Sequence, residues 1–321
     1  MSKPVLLYYR LLSWQPENQA LAAANFAVHE LDNPDQDTDE ILKGIQACCA
    51  PLGFYFGSGK MERCPNLRAI VTNTTGVPHI DMPAAAARDI AVFSLKDEQT
   101  FLDTITPTAE HTWGLLLALL RRTPWSFDHI KAGHWNRFEW GAPAMLSRLK
   151  LGIIGHGRLG RRVARYGAAF DMAVRYHDPF AEADGITERA ERLEELVAWA
   201  DVISLHVPAL PETEDLISAE ILSHFKPGSL FINTARAELV DEAALLAALE
   251  TGHIAGYGAD VLEGEFGLDF KAAEHPLVRH AQNHDNVLLT PHIAGSTHDA
   301  WRETQGRVIE MAIEHFKDWK T

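Results

Sequence analysis

The sequence predicts an α/β fold made of two doubly wound, Rossmann-like domains. Three observations predict it. Short apolar runs alternate with helical patterns along most of the chain, which implies parallel sheets covered by helices on both faces. The length of 321 residues is about two domains' worth at roughly 150 residues each. The alternation is also interrupted once, by a polar loop and a long apolar helix, and resumes more strongly from Leu149.

Pro4–Tyr9 reads as a strand, Glu17–Asn25 as a helix and Phe26–His29 as a second strand. Thr38–Gly44 reads as a short helix, followed by a small apolar strand at Ala47–Ala50. Leu67–Thr72 is a clearer strand, Asp81–Arg88 an Ala-rich helix and Ile90–Phe93 a short strand. Lys96–Thr106 is polar and reads as a loop. A helix is expected from Thr108, as N-cap, to Arg122; it is apolar almost all round and so should be buried, with a second subunit as one partner for it. Thr123–Ser147 is rich in Trp, Gly and Pro and has no clear period. Beyond it come strand Leu151–Ile154, helix Arg158–Ala169, strand Ala173–His177, helix Leu193–Ala200 and strand Val202–Val207. Leu216–Phe225 is mostly helix, Ser229–Asn233 a strand, Glu242–Thr251 a helix closed by Gly252, and Ile254–Val261 a strand carrying Gly256 and Gly258. Asn286–Leu289 is a further strand, and the last helix runs from Thr297 to Trp319.

Composition excludes several classes. Lys plus Arg is 29 against 44 Asp plus Glu, a net charge of -15, which argues against nucleic-acid binding. The longest apolar run, Trp113–Leu120, is far short of the roughly 20 residues of a membrane span, and no signal peptide is visible. Three cysteines, Cys48, Cys49 and Cys64, without a CxxC pair, fit a reducing compartment, so a cytoplasmic protein is expected. Cys48 and Cys49 read as buried strand residues. No metal site is expected: His280 and His284 are four apart, but Gln282 and Asn283 do not make a zinc motif and the segment reads as loop. Trp135 and Trp140 read as packing residues.

The sharpest local signal is Leu151-Gly-Ile-Ile-Gly155-His-Gly157-Arg-Leu-Gly160. A GxGxxG is informative only between a strand and a helix, and here it has that context. The first glycine permits the tight turn, the second lets the backbone approach a pyrophosphate, and the third lets the helix pack on the strand. Asp178, 18 residues beyond Gly160 at the end of the next strand, stands where a carboxylate binds a ribose 2'-hydroxyl and repels a 2'-phosphate. NAD is therefore expected over NADP; the other role open to Asp178 is to cap the loop before Pro179.

Three later segments stand at strand ends, where open parallel sheets bind ligands. They carry Arg236, Asp260 with Glu263 and Glu265, and His292 after Pro291. An Arg, a Glu and a His suit reduction of a 2-oxo acid. Arg236 would hold the carboxylate and polarise the carbonyl with its planar fork. His292 would protonate the forming alkoxide, and Glu265 would hydrogen-bond and orient the ring. Taken singly, each reads first as an ordinary surface ion pair, loop charge or histidine without chemistry; the set carries the reading.

These segments, with Tyr176-His-Asp178-Pro, His206-Val-Pro208, Asn233-Thr-Ala-Arg236, Ala259-Asp260-Val and Pro291-His292-Ile-Ala-Gly295-Ser, resemble the D-isomer-specific 2-hydroxyacid dehydrogenases, in the manner of the D-3-phosphoglycerate dehydrogenases among them. The resemblance runs from about Asn66 to Ala300. It implies that Arg236, Glu265 and His292 are catalytic. It implies a cofactor site of Gly155, Gly157, Arg158, Leu159, Gly160, Asp178, Val207, Pro208, Thr213, Thr234, Ala235, Arg236, Asp260, His292 and Gly295, with Asp260 at the nicotinamide carboxamide. The backbone at Thr75, Gly76 and Val77 would bind the substrate carboxylate, beside Arg236 and His292. It also implies a discontinuous, flavodoxin-like substrate domain (1–106 and 292–321), an NAD-binding Rossmann domain (107–291), a cleft between them and a homodimer built on the helix from Thr108.

Three features depart from the family pattern: Ala237 stands where Gly is common, Phe266 where Pro is common, and Ser94–Thr106 is longer than usual. Lys96 in that segment is a candidate contact for a second anionic group on the substrate. With the chain ending at Thr321, no appended regulatory domain is expected. The expectation is an NAD-dependent dehydrogenase of a small D-2-hydroxy acid or its 2-oxo form. A phosphite-type dehydrogenase and an NAD-sensing, non-enzymatic binding protein are the alternatives on the same fold; Glu265 argues against a formate dehydrogenase, which pairs its His with an amide.

Overall fold

The structure, a computed structural model, describes residues 3–181, 185, 187–267 and 270–317. The chain divides into two compact units. Met1–Ile105, Phe266–Leu268 and Ser296–Thr321 form the first, and Thr106–Glu265 with Asp269–Gly295 form the second.

The first unit contains β1 (Val5–Tyr9), α1 (Pro16–Asn25), β2 (Ala27–Leu31), α2 (Asp39–Gly44), β3 (Ala47–Cys49), α3 (Ser58–Glu62), β4 (Ala69–Val71), α4 (Met82–Ala86), β5 (Ala91–Phe93) and α5 (Gln99–Leu102). Its five strands are all parallel, in the order β2-β1-β3-β4-β5. The inner strands β3 and β4 are buried at every position, which is why their sequences are short apolar runs with no alternation. Edge strand β2 is largely exposed. Side chains cap the helices as their residue types suggest: Thr38 accepts from Ile41 N at the start of α2, and Asp81 from Ala84 N at the start of α4.

The second unit begins with α6 (Pro107–Leu120) and α7 (Thr123–Lys131). It continues through β6 (Lys150–Ile154), α8 (Arg158–Ala169), β7 (Ala173–His177), β8 (Glu188–Arg189), α9 (Leu193–Trp199), β9 (Val202–Leu205), α10 (Ala219–His224), β10 (Ser229–Asn233), α11 (Glu242–Glu250), β11 (Ile254–Ala259), α12 (Pro276–Ala281) and β12 (Val287–Leu289). The chain then returns to the first unit as α13 (His298–His315), whose Val308, Ile309 and Ala312 join the core formed by Leu6, Ala47 and Ala69. The second sheet is parallel, in the order β12-β11-β10-β9-β6-β7-β8. The order in which the chain adds strands reverses between β6 and β9, the position where doubly wound sheets open a crevice for ligands.

Helix α6 buries Ala109, Trp113, Leu115, Leu116 and Leu119 within its own unit, against Leu151, Ile153 and Val163. The helix is buried as expected, and these residues are covered within the chain itself. The approach is close because β11 presents glycines: a Cβ at Gly256 would lie 3.2 Å from Leu119 Cδ1, and one at Gly258 3.4 Å from Leu115 Cβ.

Several local expectations are corrected. The N-cap of α6 is Thr106, with Thr108 inside the helix, because Pro107 fits the first helical position. The 96–106 segment is not all loop, since it contains α5. The aperiodic 123–147 stretch holds α7 and two 3-10 turns, Arg137–Trp140 and Leu146–Arg148; exposed on most faces, these elements show no apolar period. Within 216–225 only Ala219–His224 is helical; Ile217 instead bridges Val240, and Ser218 caps the helix. His280 lies on α12 and not on a loop, where it meets Asn286 Oδ1 at 2.8 Å and stacks on His284 at 4.0 Å. Helix α3 and strand β8 were not anticipated. Trp319, the expected end of the last helix, lies outside the described residues.

Candidate active site

The glycine loop joins β6 to α8. Gly155 has φ +87, and a Cβ there would lie 2.5 Å from the His206 carbonyl oxygen at the end of β9. A Cβ on Gly160 would lie 2.0 Å from Gly155 O. The protein's own packing therefore demands the first and third glycines. The second is different: a Cβ on Gly157 would meet nothing within 4 Å, and Gly157 is the N-cap of α8 with no side-chain cap. An uncapped helix N-terminus facing open space is the cradle a pyrophosphate fits. Arg158 and Leu159, the next two residues, are half-buried there.

Asp178 follows β7. Its Oδ2 accepts from His156 N at 2.8 Å, and its Oδ1 from Phe180 N at 2.9 Å and Ala181 N at 3.0 Å. The carboxylate thus caps the loop beyond Pro179 and braces the glycine loop at once. Burial alone would raise its pKa, but the backbone donors outweigh burial and hold the carboxyl below its ordinary value. Asp178 is an anion beside the glycine loop. Val207 lies against Gly155, with Val207 Cγ2 2.9 Å from where a Cβ would stand. Thr213 closes the 208–213 loop by donating to Pro208 O at 2.8 Å and accepting from Leu210 N.

The ends of β10, β11 and β12 bring the remaining expected residues into the same unit. His292 Nδ1 lies 2.9 Å from Glu265 Oε1, with both side chains mostly buried. His292 adopts φ +53, a left-handed conformation unusual for a residue with a Cβ. Asp260 holds it there. Its buried carboxylate accepts from Thr290 Oγ1 at 2.5 Å, Ile293 N at 2.9 Å and Ala294 N at 2.6 Å, gripping the turn on both sides of His292. The sequence reading placed Asp260 at the cofactor; in the fold its carboxylate also braces the turn that carries His292. Thr290 Oγ1 in turn lies 2.8 Å from His111 Nε2 on α6.

Arg236 is half-buried, its Nη1 donating to Ala235 O. Buried Asn233 fixes the loop that presents it, donating to Arg236 O at 2.9 Å and accepting from Ala235 N at 2.9 Å. The Thr234 hydroxyl turns into the fold, 2.8 Å from Thr112 Oγ1 on α6. At Gly295 a Cβ would find only Thr108 Oγ1, at 3.8 Å.

Thr75, Gly76, Val77 and Lys96 belong to the first unit. Thr75, Gly76 and Lys96 are exposed; Val77 is half-buried. Their loop is tied by Thr74 Oγ1 donating to Gly76 O, and by Thr72 Oγ1 at 3.2 Å from His79 Nε2. Phe266, also in the first unit, lines a cavity of about 150 Å³ with Tyr55 and His79. The three cysteines are buried and free; burial pushes the Cys48 thiol up to about 12 and the Cys64 thiol up to about 11. Among the described residues no group of three His, Cys, Asp or Glu converges as a metal site.

Sequence reasoning missed Asn233, His111 and the buried pair Glu242 and His275. Asn233 stands inside the quoted Asn-Thr-Ala-Arg motif, which is a signal. His111, Glu242 and His275 carry none, because their partners are distant in sequence.

Residues 113–294 match the family model described as D-isomer specific 2-hydroxyacid dehydrogenase, NAD binding domain. The chain is 34% identical over 261 residues to a D-3-phosphoglycerate dehydrogenase of Bacillus subtilis (strain 168), covering 80% of this chain and 46% of that one. It spans about half the length of the D-3-phosphoglycerate dehydrogenases it matches. It is 33% identical over 327 residues to a glyoxylate reductase of Thermofilum pendens, covering 98% and 91% of the two chains. Among solved structures, a D-lactate dehydrogenase from Aquifex aeolicus complexed with NAD and lactic acid matches with a TM-score of 0.83 at 29% identity, over 98% of this chain and 96% of that one. With a glycine loop shaped for a pyrophosphate, a paired Glu and His, and a family match over more than half its length, the chain belongs to the D-isomer specific 2-hydroxyacid dehydrogenase family.

Proposed function

We propose that the protein is an NAD-dependent oxidoreductase acting at C2 of a small 2-oxo acid or D-2-hydroxy acid. The observation that carries the reading is the Glu265–His292 contact of 2.9 Å, held in the same unit as the glycine loop. The second unit is taken as the NAD-binding domain and the first as the substrate-binding domain. Bound at the glycine loop, the nicotinamide supplies or accepts the hydride. The Asp178 carboxylate, kept anionic by its backbone donors, repels a 2'-phosphate and favours NAD.

Arg236 binds the substrate carboxylate and polarises the C2 carbonyl. Glu265 accepts from His292 Nδ1, which fixes the ring's tautomer and makes Nε2 the atom that exchanges a proton with the substrate oxygen. Ionised Glu265 also stabilises the imidazolium when the ring is protonated. Backbone N–H groups at Thr75, Gly76 and Val77 are assigned to the substrate carboxylate, and Lys96 to a second anionic group if the substrate carries one. The relatives' names span both cases: phosphoglycerate carries a second anion, whereas glyoxylate and lactate do not.

The protein is also assigned as a homodimer in the cytoplasm. Support for the dimer comes from α7 and the segment after it, where Phe127, Ile130, Trp135, Phe138 and Met145 are all exposed, Trp135 at 89%. Sedimentation of Trp135→Ser/Phe138→Ser tests it; a variant that remains dimeric removes this surface from the assignment. No described helix is long and apolar enough to cross a membrane.

The test of activity is NADH oxidation across glyoxylate, hydroxypyruvate, pyruvate, phenylpyruvate, 2-oxoglutarate and phosphorylated 2-oxo acids. A strong rate with one member is expected. Silence across the panel with NADH binding intact refutes the 2-oxo acid assignment and favours phosphite, assayed as NAD reduction, or a sensing role.

A further inference from the structure

A second Glu–His pair lies beside the first, in the same unit. Glu242 opens α11, and its side chain is 7% exposed; His275, which precedes α12, is 9% exposed. Glu242 Oε2 is 3.0 Å from His275 Nε2, and Glu242 Oε1 accepts from Glu263 N at 3.1 Å. Glu263 is two residues before Glu265, in a tight turn. In that turn Gly264 has φ +71 and Glu265 N donates to Leu262 O at 3.2 Å. The orientation of Glu265 depends on this turn, and the buried Glu242 carboxylate grips its backbone. A carboxylate in so dry a place is costly unless its oxygens are engaged, so both Glu263 N–H and His275 are needed to keep it there.

We propose that Glu242 and His275 are positioning residues: they hold the Glu263 backbone and thereby aim Glu265 at His292 Nδ1. Neither touches substrate or cofactor in this scheme. Burial raises the Glu242 carboxyl to about 7, opposed by the Glu263 N–H bond and reinforced by the Glu263, Glu265 and Glu238 charges, and burial likewise pushes up the neighbouring Tyr257 phenol. Burial lowers His275, opposed by Glu263, while the Phe270 ring lies beside it. Both shifts favour the uncharged forms, so the pair carries one proton fewer, and one negative charge more, as pH rises through neutrality.

The inference rests on the reading of Glu265 and His292 as an acid–base pair, but its test needs no substrate. The probe is the ring-nitrogen NMR spectrum of His292 in protein carrying 15N-histidine, recorded at alkaline pH where imidazole is neutral. In the unmutated protein the Nδ1–H tautomer is expected, with Glu265 accepting. Glu265→Ala sets the reference for a released ring. Glu242→Ala should move His292 toward that reference, and the double variant should move it no further. Glu242→Gln, which keeps an oxygen for Glu263 N–H, should restore the wild-type pattern. A folded Glu242→Ala protein with the wild-type pattern, or a double variant whose shift is the sum of the two, overturns the inference. Should Glu242→Ala fail to fold, His275→Ala must show the same movement, and a wild-type pattern there overturns it equally. Turnover is measured in parallel. An unmutated protein that reduces no 2-oxo acid sinks the assigned reaction while leaving the ring spectra to decide the positioning role.

Discussion

Replacing the second and third glycines of the nucleotide loop separately should dissociate stability from cofactor binding. At Gly157 an added Cβ meets nothing within 4 Å and the backbone is ordinary extended chain. Ala is a poorer N-cap than Gly by some tenths of a kcal/mol, while the loss of unfolded-state freedom returns about 0.4–1 kcal/mol. The two nearly cancel, so Gly157→Ala should melt within about 2–4 °C of the parent. At Gly160 the Cβ would stand 2.0 Å from the Gly155 carbonyl oxygen, a backbone atom that moves only if the whole loop moves. Overpacking of that kind costs about 1–3 kcal/mol, or about 2–12 °C in a domain of this size. The assay is thermal unfolding with and without NADH. NADH at 100 times its Kd should stabilise the parent by about 2.7 kcal/mol, a shift of about 5–11 °C. Gly157→Ala should keep its apo melting temperature and lose most of the NADH shift. A wild-type NADH shift in Gly157→Ala refutes the pyrophosphate cradle; an unchanged apo melting temperature in Gly160→Ala refutes the steric argument.

The other predictions concern charge and chemistry. His292→Ala should reduce kcat by about 10²–10⁴ while leaving the NADH-induced thermal shift intact; retained turnover takes His292 out of the mechanism. Asp178→Ala should erode the preference for NAD over NADP. Because the folded Asp178 carboxyl lies below its unfolded value, its contribution to stability is present above about pH 4 and lost as pH falls through the folded value. Urea midpoints of parent and Asp178→Ala should therefore converge in acid. Glu242 has the opposite sign. Folding raises it from 4.5 to about 7, so the native state keeps a proton that the unfolded chain has released, and stability falls as pH rises across that window. Glu242→Gln should flatten this slope between about pH 5 and about pH 8; parallel curves for the two proteins would exclude Glu242 as its source.

What could be read in the sequence was what local chemistry dictates. The β6–loop–α8 unit was legible because three glycines at fixed spacing do a job no other residue can, and two of them are enforced by carbonyl oxygens at 2.5 Å and 2.0 Å. Strands such as β6 and β9 were legible because burial on both faces requires unbroken apolar runs. Arg236, Glu265 and His292 were recognisable as a set, each beyond the end of a strand. Elements without such constraints were not: α7 is mostly exposed and has no apolar stripe, and α12 is a six-residue helix, too short to show a helical period.

The tertiary structure decided which polar groups meet. Asp260 and Asp178 were both assigned to the cofactor from sequence; folding also gives each carboxylate backbone N–H donors that no local pattern announces, one at the His292 turn and one at the glycine loop. Thr234 was assigned alongside them, and its hydroxyl faces α6. Glu242 and His275 lie 33 positions apart and no periodicity links them; only the fold brings them together and sets Glu242 against Glu263, two residues before Glu265. A sequence specifies which donors and acceptors exist. Which of them meet is fixed by burial, where a polar group without a partner is costly and the partner is often distant in the chain.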